Sequence, residues 1–146
     1  MRKILLISLK PQYAEKVFDG SKTVELRRTR PNLNNSDLIL IYASSPVKAI
    51  VGGSEVKDVL SGTPKEIWRA IFEVAGVNAQ DYNEYFLGAK TAFGINLKNS
   101  WRHTKPISLD KIKAKLPSFH PPQTYQYLNI KTVRTIDKNL FPNYKV

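Results

Sequence analysis

Four cations near the start of the chain stand where an anion could be held. Lys10 precedes Pro11, the first position of an expected helix, and a helix N-terminus already favours negative charge. Lys22 follows the tight Asp19-Gly20 turn, from which an ammonium can reach a phosphate or a carbonyl oxygen. Arg27 and Arg28 end the strand that opens after Lys22-Thr23. Glu25 shares a strand face with Arg27, because side chains alternate with period two. The pair is either a structural ion bridge or a carboxylate that holds Arg27 for phosphate contact.

A second group of chemically able residues lies around Pro46. Ser44 and Ser45 offer hydroxyls and backbone N–H groups just before Lys48, a combination suited to an anion. Tyr42 alternates with Ile41, so it either lines a cleft, stacking on a base or donating to a phosphoryl oxygen, or fills the core. Tyr125 and Tyr127, close behind Pro121-Pro122, are stacking platforms or hydrophobic closure. Thr124 supplies a hydroxyl with no general base beside it, and His120 is the nearest titratable group. If a phosphodiester were cleaved here, the phosphorane would need cations, for which Lys22 and Lys48 are candidates. No base poised near neutral pH is evident. Turnover would therefore be slow, or would use a bound divalent ion.

The elements that position these residues follow from local pattern. Ile4–Ile7 is an apolar strand, broken at Lys10-Pro11, followed by a short helix that ends at Asp19-Gly20. Leu38–Ala43 is a near-continuous apolar strand. Ala49–Val56 is the next, with Gly52-Gly53 marking a bulge or a close backbone approach. Thr63-Pro64-Lys65-Glu66 carries a capping box and a proline at the first helical position, opening a helix with the apolar stripe Ile67, Trp68, Ile71, Phe72 and Ala75 that stops at Gly76. A further helix is expected from Asn78, packing through Tyr82, Tyr85 and Phe86. Lys90–Leu97 is a strand, Ser108 caps a short helix through Lys115, and Tyr125–Val133 forms a last strand or turn. Trp68 is expected in the core and Trp101 as a surface anchor. Strands outnumber helices and the helices are insertions between them, which is α+β with a small curved sheet or barrel.

Composition bounds the rest. The 146 residues suffice for one domain with one real core. The absence of cysteine removes disulfides, thiolate nucleophiles and Cys-ligated zinc, and two histidines are too few for a His-only metal site, so no cofactor or metal is expected. No stretch approaches the roughly 20 apolar residues that span a bilayer, and no leader pattern opens the chain, which predicts a cytoplasmic protein without membrane contact. The net charge of +11 is unevenly placed. Residues 1–30 carry +5 and residues 99–146 carry +7, while residues 53–98 carry −1. Two cationic ends around a neutral middle are the electrostatic footprint of a polyanion binder.

The phrases LKPQYAEKVFDGSKTVELRR, DLILIYASSPVKAIVG and HPPQTYQYL resemble the ASCH domain (activating-signal cointegrator homology), a PUA-like β-barrel. The resemblance runs from Arg2 to Leu128. It implies an ASCH/PUA-like domain over residues 1–128, with residues 129–146 a basic extension packed on it or trailing from it. It implies a cleft at the barrel mouth, lined by the Lys10 and Lys22 turns and by the strand from Leu38, and RNA or another nucleic acid as ligand. The sequence leaves the oligomeric state open, with a monomer favoured. Lys10, Lys22, Glu25, Arg27, Arg28, Ser44, Ser45 and Tyr125 are the binding residues on this reading. Two hydrolytic activities go with the family. Amidohydrolysis of acylated cytidine uses the lysine of the G-x-K-T turn, a threonine three residues on and a downstream glutamate; Lys22 matches, Glu25 replaces the threonine, and Glu73 is the nearest glutamate. Ribonuclease activity goes with a tyrosine, a lysine six residues on, and a hydroxyl residue in a PPQ-[ST]-Y segment. Tyr42, Lys48 and Thr124 fit that pattern as the catalytic set, with a divalent cation as an option.

Overall fold

The computed structural model describes residues 2–144. Six strands form one mixed sheet that curls into a half-barrel: β1 (Ile4–Leu9), β2 (Val24–Arg27), β3 (Leu38–Ala43), β4 (Ala49–Gly62), β5 (Ala92–Ser108) and β6 (Tyr125–Leu128), in the order β2-β5-β4-β3-β1-β6. Five helices lie between or after them: α1 (Pro11–Asp19), α2 (Pro64–Ile71), α3 (Ala79–Tyr85), α4 (Leu109–Lys115) and α5 (Ile130–Ile136). The α+β class and the strand-rich barrel-like sheet agree with the sequence expectation.

β1 and β3 pair in parallel inside the sheet, and the remaining pairs are antiparallel. Both strands are covered on both faces, which is why they read as unbroken apolar runs. Leu5, Ile7, Ile39 and Ile41 face inward against Ala14 and Val17 of α1. Ile4, Leu6, Leu38, Leu40 and Tyr42 face outward under α4 and the C-terminal segment. A third cluster joins Val24 and Leu26 of β2 to Ile67 and Ile71 of α2 and to Tyr82 and Phe86.

Helix boundaries follow the local chemistry. Gly20 takes φ +88° to end α1. The Thr63–Glu66 capping box closes reciprocally, and Asn78 and Ser108 cap α3 and α4. α2 stops four residues before Ala75, because Val74 N–H turns back to Ile71 O in a tighter bond, although Ala75 itself is fully buried. Gly52 and Gly53 mark the expected close approach: a Cβ at Gly52 would collide with Trp101 O, and one at Gly53 would lie 2.5 Å from Ile39 O. Irregularities in the β4–β5 register cluster here.

Three elements differ from expectation. β4 extends to Gly62 and β5 to Ser108, because each supplies the other's ladder through a long bent hairpin. Trp101 belongs to that extension, and its ring packs on Phe141 at 5.8 Å and Tyr144 at 5.2 Å between centroids, so it seats the C-terminal segment. Beyond β6, Asn129 Oδ1 accepts from Thr132 N–H at 2.8 Å and starts α5, whose Val133 and Ile136 are buried together with Leu140 and Phe141 against the outer face of β1 and β3. Lys145 and Val146, the end of the expected extension, lie outside the described residues.

Candidate functional site

The parallel β1–β3 pair sets Ser8 opposite Tyr42 and Leu9 opposite Ala43, so both strands deliver their last residues to one rim of the half-barrel. Two open clefts meet there, sharing Ser8, Leu9 and Lys10.

The tyrosine–lysine cleft, about 540 Å³, is lined by Tyr42, Ser44, Ser45 and Lys48 on one side and Pro121, Pro122 and Gln123 on the other. Ser44 N–H donates to Leu9 O at 2.9 Å, and Val47 N–H to Ser44 O at 3.1 Å, making a compact turn across a cis Ser45-Pro46 bond. Lys48 leaves that turn with φ +50° and an exposed side chain, and among the described residues it makes no ion pair. Its carbonyl accepts from Leu109 N–H, anchoring the turn to α4. The opposite wall is tied down by Ser8 Oγ, which donates to Pro122 O at 2.6 Å. Tyr42 is only 3% exposed, and burial pushes its phenol up. It therefore keeps its proton at neutral pH and can donate it. Thr124 is exposed on the residue after Gln123, beside this wall rather than in it.

The ion-triad cleft, about 620 Å³, has Lys22, Glu25 and Arg27 as its charged floor. Lys22 is 3% exposed; its ammonium donates to Ala75 O at 2.6 Å and lies 3.9 Å from Glu25 Oε1. Burial holds its pKa below the usual lysine value, with Glu25 working against that and Lys16 and Arg27 adding to it. Glu25 Oε2 accepts from Arg27 Nη2 at 2.8 Å, and Oε1 from Leu26 N–H at 3.1 Å. Arg27 Nε is buried without a partner. Tyr13 of α1 and Tyr82 and Tyr85 of α3 stand in the walls. Burial pushes the Tyr82 phenol, which donates to Pro64 O at 2.6 Å, up to about 12. Burial likewise raises Tyr85, whose phenol donates to Leu26 O at 3.3 Å.

Of the residues singled out in the sequence, Lys10, Ser44, Ser45, Tyr42 and Lys48 gather in one cleft and Lys10, Lys22, Glu25 and Arg27 in the other. Tyr125 sits opposite Ile7 on β6 and places its ring 5.8 Å from the Arg27 guanidinium. Arg28 is absent from both walls: its Nη1 donates to Tyr85 O at 2.7 Å and Leu87 O at 3.1 Å, clamping the end of α3. Glu73 is exposed outside both walls. Neither histidine lines either cleft, and among the described residues no three His, Cys, Asp or Glu gather to hold a metal. Ser8 and Tyr13 escaped the sequence reading. Ser8 had a signal, as the lone hydroxyl in an otherwise apolar strand.

The ASCH domain model matches residues 7–113. The chain belongs to the ASCH family. A relative from Zymomonas mobilis subsp. mobilis, named an ASCH domain-containing ribonuclease, is 35% identical over 127 residues, covering 87% of this ASCH chain and 85% of its own. The crystal structure of ASCH from Zymomonas mobilis superposes with a TM-score of 0.87 at 32% identity, covering 93% of this chain and 94% of that one. Serine-to-alanine and tyrosine-to-phenylalanine variants of that protein superpose equally closely, with TM-scores of 0.86. Large ribosomal subunit protein uL22 of Ureaplasma parvum is 27% identical over 125 residues, which are 85% of this chain and 39% of that protein. No helix among the described residues is long and apolar enough to cross a membrane.

Proposed function

We propose that this ASCH protein binds single-stranded RNA across its basic rim and cleaves it in the tyrosine–lysine cleft. The observation that carries this reading is the convergence of a protonated, nearly buried phenol (Tyr42), an unpaired ammonium (Lys48), two serines and Lys10 on one open cleft whose lining contains no carboxylate. Two cations without counter-charges suit a phosphodiester. The resemblance to a ribonuclease along most of both chains supports the same chemistry. A tyrosine and a serine are the residues varied in the Zymomonas structures, and this cleft offers a tyrosine, Tyr42, with a hydroxyl residue, Thr124, beside it.

In the reaction the 2′-oxygen of the substrate forms a bond to phosphorus while the bond from phosphorus to the 5′-oxygen breaks. The products are a 2′,3′-cyclic phosphate and a 5′-hydroxyl. Lys48 neutralises the charge that builds on the non-bridging oxygens, where a donor gains most in the transition state. Tyr42 gives its hydrogen bond, and finally its proton, to the departing 5′-oxygen. Thr124 hydrogen-bonds the phosphate from the rim. The 2′-hydroxyl proton passes to water, since no histidine stands in the walls, and turnover is correspondingly slow.

End-labelled single-stranded RNA incubated with wild type, Lys48→Ala and Tyr42→Phe tests this. The expected result is cyclic-phosphate ends from wild type and at least tenfold slower cleavage by both variants. Equal cleavage by all three would discard the reading.

A further inference from the structure

We infer that the ion-triad cleft is a guanine-reading subsite, with Glu25 as the residue that selects the base. The inference rests on the RNA reading of the neighbouring cleft and names what lies beside the scissile phosphate. The two clefts are unlike in charge. Lys10 stands at the border of both; beyond it the tyrosine–lysine cleft has Lys48 and no carboxylate, whereas the ion-triad cleft has Lys22 and Arg27 together with three carboxylates, Glu25, Asp81 and Glu84. A phosphate gains little from the second environment. A flat, neutral group rich in hydrogen-bonding edges fits it.

Two features of the floor point to a ligand of that kind. Arg27 is only 8% exposed and leaves Nε without a partner, an unfinished polar site in a wall that is otherwise satisfied. Glu25 is 6% exposed, and its two oxygens accept one hydrogen bond each, from Leu26 N–H and Arg27 Nη2. The Lys22 ammonium at 3.9 Å is beyond hydrogen-bond reach. A carboxylate has about four accepting positions, so one remains on each oxygen. Guanine is the common base whose Watson–Crick edge presents two adjacent donors, the ring N1–H and the exocyclic amine. Uracil offers one ring N–H, while adenine and cytosine offer an amine beside an acceptor. Tyr13 and Tyr85, carried by two different helices, supply the aromatic faces on which single-stranded bases stack. Ser8, Leu9 and Lys10 belong to both clefts, so a base in one and its phosphate in the other are neighbours on the same strand.

The test uses the full chain and nucleosides without phosphate, so its outcome is separate from that of the cleavage assay. Guanosine, inosine, adenosine, cytidine and uridine are titrated into wild type, Glu25→Gln and Tyr85→Ala, with binding read by calorimetry or amide chemical shifts. Guanosine is expected to bind at least about tenfold more tightly than the others, inosine included, because inosine lacks the exocyclic amine. Glu25→Gln is expected to erase the guanosine–inosine difference. Tyr85→Ala, at a half-exposed ring, is expected to weaken all five together. If Glu25→Gln fails to fold, the wild-type guanosine-to-inosine ratio decides. Equal binding of the five nucleosides, or none, overturns the subsite even if RNA is cleaved. Selective guanosine binding upholds it even if RNA is not cleaved, in which case only the ribonuclease reading falls.

Discussion

Lys22 and Lys48 are both lysines at the exit of a turn, and both line the same rim, yet the fold treats them in opposite ways. Lys22 is buried, bonded to Ala75 O, faced by Glu25, and depressed in pKa by its burial. Lys48 is exposed with no ion pair among the described residues. The first is bound into the architecture and the second is available. A cation's usefulness to a ligand is thus set by what already holds it, and removing either lysine tests a different property.

Removing the shared counter-charge should give the largest effect. Glu25→Ala leaves Lys22 and Arg27 buried together without their carboxylate, and loss of one member of a buried ion pair typically costs about 3–5 kcal/mol. Urea unfolding should show that loss, while Lys48→Ala should stay within about 0.5 kcal/mol of wild type, as surface substitutions do. Equal stability losses would erase the contrast. In catalysis the ranking should reverse in kind: Lys48→Ala should lower the cleavage rate by roughly a hundredfold, the scale seen when one charge-stabilising donor is removed. Initial rates on labelled RNA measure this at matched folded fraction.

A smaller effect sharpens the same contrast. If Lys48 touches phosphate, Lys48→Ala should flatten the slope of log affinity against log salt by about 0.7, the contribution of one contact to a single strand. Lys22→Met should leave that slope as in wild type, and an equal change in both would mean that the triad also meets phosphate. The smallest effect concerns pH. The Tyr82 phenol sits at about 12 in the fold against an ordinary 10.0. Between those values the unfolded chain has lost the proton and the folded chain keeps it, so Tyr82 contributes stability that is present below pH 10 and lost as pH rises towards 12. Lys22 works in the opposite sense: between its lowered value and 10.5 the unfolded chain holds more protons, so stability rises with pH across that window. Tyr82→Phe should remove the highest step from the ultraviolet phenolate titration and the corresponding alkaline loss of stability. A step that persists would assign it elsewhere.

What could be read from the sequence was whatever local chemistry dictates. The apolar runs of β1 and β3, the Thr63 capping box, the Asn78 and Ser108 caps and the Gly20 stop each depend on a few adjacent residues, and each stands where the sequence put it. The second half of β5 did not announce itself. Its residues Lys98 to Ser108 are mostly polar and include Pro106, and they are a strand because β4 lies alongside. α5 carried a legible cap in Asn129 and apolar residues at Ile130, Val133 and Ile136, but proximity to the chain's basic end masked it. At the site, residue types and strand faces were legible, including the shared face of Glu25 and Arg27. Which cations remain free was not, because the partners of Lys22 and Arg28 are carbonyls 53 to 59 residues away in sequence.

The half-barrel ends in two strands, β2 and β6, that are not neighbours in the sheet and face each other through the Arg27 guanidinium under the Tyr125 ring. In mechanical terms this makes the sheet a clasp rather than a ring. Its closure depends on side-chain contacts, the cation–π pair worth about 0.5–1 kcal/mol at such a site and the hydrogen bond from Asn32 N–H to the Tyr127 phenol oxygen at 2.8 Å, rather than on a ladder of backbone hydrogen bonds. The β1–β3 pair that carries Ser8 and Tyr42 is held instead by a continuous parallel ladder, so the rigid and the deformable parts of the rim lie side by side.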